Sequence, residues 1–157
     1  MKASSLHEIK KELADVEPDT LVEFCMRLGK FKKENKELLT YLLFEAQDEN
    51  AYVEHVKSDI DAEFDSFSTI NLYYAKKTIR KILRMANRQI RYSGIKQTEL
   101  KIRIHFCAKL KESGIRLDKS PVLINLFNQQ LKKIEQALVK LPEDLQFDYR
   151  RSIDSLS

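Results

Sequence analysis

Glycine and proline are scarce, with three of each in 157 residues. Average usage of the two together is about 12% of a chain, so turns here are few and regular elements long. The shortage disfavours sandwiches, barrels, collagen-like segments and flexible linkers. It also removes every site built on a glycine-rich phosphate-binding loop. Cysteine is limited to Cys25 and Cys107, each inside an apolar helical pattern. A secreted domain of this size more often carries a framework of several. Both are therefore expected as reduced, buried small hydrophobes, and no spacing signal backs a bridge between them. No apolar run approaches the roughly 18 residues of a membrane span. The stretch MKASSLHEIKKEL is charged and amphipathic, without the apolar core of a secretory signal. A cytoplasmic protein is expected.

Patterns that carry chemistry are missing as well. There is no P-loop, nucleophile elbow, CxxC or HExxH. His7, His55 and His105 adjoin no nucleophile motif. Asp59, Asp61, Glu63 and Asp65 alternate as in a calcium loop, but Phe64 stands where such a loop requires glycine. Those acids are better read as the solvated face of a helix. His55 and Asp59 are four residues apart, yet two ligands make no metal site. No enzyme, cofactor or metal centre is expected.

What is present is a charged, helix-forming chain. Hydrophobic residues make up 43% and charged residues 33%, which suits one all-α domain over residues 1–157. Seven or eight helices are expected as antiparallel hairpins. Ser4 or Ser5 caps a first helix bearing Leu6, Ile9, Leu13 and Val16. Asp19 caps a second with Leu21, Val22, Phe24, Cys25 and Leu28 inward, closed by Gly29. A third, over 34–47, is apolar on more than one face and reads as central. A fourth carries the stripe Tyr52, Val53, Val56, Ile60, Phe64 and Phe67. Ser68 and Thr69 break the chain, and the longest helix follows over 69–92, ended by Ser93 and Gly94. Residues 100–106 alternate like a strand, but no partner strand is evident, so 96–113 is read as helix. Ser120 and Pro121 open a seventh helix bearing Leu123, Ile124, Phe127, Leu131, Ile134, Leu138 and Leu141. A short eighth, 143–152, is anchored by Leu145 and Phe147, and 152–157 is expected to fray.

Helix pairs at roughly 40-residue intervals are also the pattern of HEAT or armadillo arrays. One local echo supports this. Phe24-Cys25-Met26-Arg27-Leu28 resembles Phe106-Cys107-Ala108-Lys109-Leu110. The alternative is an irregular bundle obeying the same packing rules.

The functional argument rests on helix 69–92. At 100° per residue its apolar side chains fall within about 100° of arc, and Lys76, Lys77, Arg80, Lys81, Arg84, Arg88 and Arg91 within a second arc of about 140°. No acid lies between Thr69 and Gln97. A solvated helix face usually mixes signs, because like charges four residues apart cost a few tenths of a kcal/mol. Lys77–Lys81, Arg80–Arg84 and Arg84–Arg88 are all like pairs. Some anion should offset that repulsion. One source is the chain itself, since residues 48–65 carry seven acids against Lys57, while Lys76 to Arg116 is net +11. Nucleic acid is a second source, with Tyr73, Tyr74 and Tyr92 beside the stripe able to stack or hydrogen-bond. An acidic protein segment or an anionic membrane surface is the third. The expected function is a non-enzymatic binding or scaffold module. Its anion-binding residues would be Lys77, Arg80, Lys81, Arg84, Arg88 and Arg91, helped by Lys96, Lys101 and Arg103. The alternative is a structural or homo-oligomerising protein in which acidic helix 49–67 pairs with basic helix 69–92.

Overall fold

The computed structural model describes residues 1–66 and 71–157. All its regular elements are helical. Two compact units emerge, Met1–Phe44 and Glu45–Ser157. Phe67, Ser68 and Thr69, assigned above to a stripe and a helix break, lie outside the described residues.

In the first unit, α1 (Leu6–Leu13) is opened by a capping box. The Glu8 amide donates to Ser5 Oγ at 3.3 Å, and the Ser5 amide donates back to Glu8 Oε2 at 2.8 Å. α2 spans Pro18–Phe31, with Glu17 rather than Asp19 at the cap position and Pro18 in the first turn. Gly29 does not end this helix. An added Cβ there would meet Leu39 Cδ1 of α3 (Lys33–Thr40) at 3.1 Å, so glycine lets the two helices approach. Asn35 Nδ2 donates to the Leu28 carbonyl at 2.8 Å across the same corner. One turn of π-helix, Tyr41–Glu45, follows.

The expectation of a central third helix is corrected here. α1, α2 and α3 contain no buried residue, and Leu42, Leu43 and Phe44 are exposed by 57%, 64% and 67%. Only Tyr41 of this unit is buried. High apolar density marks surface that needs cover, but it does not say where the cover comes from.

The second unit holds α4 (Glu49–Asp65), α5 (Leu72–Ser93), α6 (Lys96–Glu112), a 3₁₀ turn Leu117–Lys119, α7 (Pro121–Leu138) and α8 (Glu143–Asp154). Asp48 caps α4 by accepting from the Ala51 amide at 3.1 Å. Asn71 caps α5, accepting from the Tyr73 amide at 3.0 Å. Gly94 ends α5 in the left-handed region, φ 70°, which glycine adopts without a Cβ penalty. Ser120 and Pro121 open α7 as the sequence predicts.

The central element is α6, which packs on α4, α5 and α7. It buries Leu100, Ile102, Phe106, Cys107 and Leu110, and the Phe106 ring lies 6.0 Å from that of Phe64. Around it stand Val53, Val56 and Ile60 of α4, Ile79 and Ile82 of α5, and Leu123, Ile134 and Leu138 of α7. Each such aliphatic side chain contributes about 1.5–3 kcal/mol on burial. A helix covered on three sides has no single apolar stripe, which is why 100–106 reads like a strand in isolation.

Three further expectations change. The chain end is not loose, because Ile153 and Leu156 are 5% and 3% exposed and Lys111 Nζ donates to the Ser155 carbonyl at 3.2 Å. Phe147 is no anchor at 84% exposed. The echo between 24–28 and 106–110 falls in unlike surroundings. Phe106 and Cys107 are buried, whereas Phe24 and Cys25 are exposed.

The two free thiols should therefore behave differently. Burial pushes the Cys107 thiol up to about 12, against the opposing pull of the Arg103 charge. Iodoacetamide at pH 8 is expected to label Cys25 within minutes and Cys107 only on unfolding, read as one against two adducts by intact mass. Equal labelling of both in the native protein would refute this placement.

Candidate anion-binding face

The long helix α5 displays its cations as its periodicity requires. Ala75, Ile79, Ile82, Ala86 and Ile90 point into the core, fixing the opposite face outward. Lys77, Arg80, Lys81, Arg84, Arg88 and Arg91 are all exposed. Lys81 alone of these six has a partner among the described residues, with its Nζ 3.4 Å from Glu63 Oε2. The other five make no ion pair or side-chain hydrogen bond there.

Three of the six acids of α4 are engaged elsewhere. Asp61 Oδ1 lies 2.6 Å from His105 Nε2 and 3.6 Å from Lys109 Nζ, both on α6. Glu54 pairs with Lys57 at 3.3 Å on its own helix. Glu49 accepts from Thr98 at 2.6 Å and also from Ser93. Among the described residues only Glu63 of α4 pairs with a cation of α5, and that cation is Lys81 rather than an arginine.

Exposed tyrosines extend the face at the start of α5. Tyr73 and Tyr74 are 72% and 63% exposed, and their rings meet edge to face at 5.4 Å. Tyr92 is half-buried. At the other end, Arg91 sits in the last turn, where a cation also favours the helix dipole.

The three helpers from α6 separate. Lys96 is exposed and holds Glu99 at 3.0 Å. Lys101 is half-buried and donates to Asn50 Oδ1 at 3.4 Å. Arg103 is corrected from a surface contact to a core group, 6% exposed. Its Nε donates to Glu99 Oε1 at 3.0 Å, and its Nη1 donates to Asn87 Oδ1 at 2.9 Å and Gln130 Oε1 at 2.8 Å. The run Ile102-Arg103-Ile104 gave no hint that the arginine turns inward. The position is tolerable because Glu99 pairs with the charge and Gln130, itself buried, accepts a further N–H.

Burial pushes the Glu99 carboxyl up, but hydrogen bonds from Lys96 and Arg103, with their charges, more than offset it. The net result lies below the ordinary carboxylate value. Beside this pair opens a cleft of about 630 Å³ lined by Arg91, Lys96, Arg103, Asn87 and Lys133. Lys133 comes from α7 and was not legible in the sequence, because only tertiary packing brings it beside α5. The face thus runs from Tyr73 along the arginines to a cation-lined hollow.

No helix among the described residues is long and apolar enough to cross a membrane. No protein-family model, curated protein or solved structure matches this chain.

Proposed function

We propose that this chain is a non-enzymatic binding module that docks an acidic macromolecule on the α5 face. The observation that supports it is the set Lys77, Arg80, Arg84, Arg88 and Arg91. All five are exposed and lack a partner among the described residues. Cations at four-residue steps track phosphates or a run of carboxylates, and each neutralised phosphate releases counterions. The open Tyr73–Tyr74 pair favours nucleic acid, because bases stack on such rings. Two unbridged cysteines, one of them exposed, suit a reducing cytoplasm.

A second reading draws on Asp59 and Asp65 of α4. Both are exposed and unpaired among the described residues. In that arrangement α4 of one copy meets α5 of another, and the assembly is the function.

Anisotropy titration with a labelled 20-base-pair duplex and a labelled single strand separates the two. Four or five phosphate contacts give a log–log salt slope of about −4 on the duplex, or roughly 200-fold weakening between 50 and 200 mM salt. Absence of binding at 50 mM salt, with a salt-sensitive dimer in sedimentation, would favour the second reading instead.

A further inference from the structure

The first unit carries an apolar groove whose rim is basic, and we infer that it is a docking site for an acidic amphipathic helix of a partner protein. This inference uses no residue of α5 and does not rest on the reading of that helix. The groove lies between α2 and α3 and encloses about 680 Å³. Met26, Leu39 and Leu43 line it, and the missing side chain at Gly29 deepens it. Met26 and Leu43 are 54% and 64% exposed. Phe44, which also lines the groove, is 67% exposed. Exposed apolar side chains gathered in a groove and rimmed by polar residues are the kind of surface that partners occupy.

The rim identifies the occupant. Lys30, Lys32, Lys33 and Lys36 surround the apolar floor. Lys33 reaches Glu37 at 3.5 Å, while Lys30, Lys32 and Lys36 have no side-chain partner among the described residues. A second copy docking by the same face would set lysines against lysines, since a two-fold interface meets itself. An extended peptide would press unpaired amides and carbonyls on a floor that offers no strand edge. A helix satisfies its own backbone and can lie between two others, ridge into groove. Apolar residues at i, i+3, i+4 and i+7 would fill the floor, and flanking Asp or Glu would meet the lysines.

The test uses the full chain and a fluorescein-labelled 18-residue peptide with leucine at those positions and glutamate on both flanks. A control peptide has lysine for every glutamate. The acidic peptide is expected to bind with micromolar Kd, and the control at least tenfold more weakly. Met26→Ser with Leu43→Ser, at exposed positions, should weaken binding tenfold or more with the circular dichroism melt unchanged. Lys32→Glu with Lys36→Glu should do the same and flatten the salt dependence. Arg84→Glu with Arg88→Glu should leave this binding unaltered, which keeps the result apart from the fate of the α5 reading. The inference is overturned by no binding, by equal binding of the control, or by indifference to the lysine variants. It is overturned equally by a dimer that the Met26 and Leu43 variants dissociate. Binding of the chain to phosphatidylglycerol vesicles through Met26 and Leu43, without peptide binding, would assign the groove to membrane.

Discussion

Arg103→Ala is expected to destabilise the second unit by about 3–5 kcal/mol, the cost of removing one partner from a buried ion pair. For a unit of this size that lowers the thermal midpoint by roughly 15–25 °C in a circular dichroism melt. The reason is the fan of contacts on one guanidinium. Glu99, Asn87 and Gln130 all accept from it, and truncation leaves three acceptors without their donor. Arg103→Met with Glu99→Leu should recover only the share due to the ion pair, because apolar groups of similar volume can replace such a pair at little cost while Asn87 and Gln130 still lack their donor. A double variant as unstable as Arg103→Ala would show that the pair is not the source. The same contact sets an acid limit. Glu99 has its carboxyl value depressed on folding, so its contribution is complete above the ordinary value of about 4.3 and fades as pH falls through the lower folded value. Urea midpoints between pH 5 and pH 2 should fall less steeply in the double variant than in the natural chain.

The second large effect concerns binding and leaves stability nearly untouched. Arg84→Glu with Arg88→Glu should weaken nucleic-acid binding about 100-fold at 100 mM salt and make the salt slope shallower by about 2. The melt should move by no more than about 0.5 kcal/mol, as expected for exposed sites. The change can even be stabilising, because a carboxylate at 84 faces Arg80 one turn away and ends a like-charge pair. Loss of binding with unchanged or improved stability identifies the arginines as a contact surface. Loss of the fold would instead place them in packing, and a change in solution mass would place them in assembly.

How much of this was readable beforehand follows from what each signal measures. Helix type, the Ser120–Pro121 start and the Gly94 end are local, set by backbone geometry and capping, and they appear where the residues predict. The outward turn of the α5 cations is also local, because Ala75, Ile79, Ile82, Ala86 and Ile90 leave them one face to occupy. Burial is not local. Leu42 and Leu43 are as apolar as Leu100 and Leu110, yet the first two are exposed and the last two are fully buried. The same limit applies to Cys25 and Cys107, and to Phe147 against Ile153. Arg103 is the sharpest case, since its charge argued for water while Gln130, 27 positions away, supplies the acceptor that holds it inside.

The position of α6 bears on how the second unit acquires its structure. Its neighbours α4, α5 and α7 are all close to it along the chain; α5 precedes it directly and α7 follows after one 3₁₀ turn. Contacts between near neighbours close small loops, and chains rich in them reach the native state in microseconds to milliseconds. The unit should collapse quickly around 96–112, in a single kinetic phase, with the α5–α6 corner formed before α8 docks.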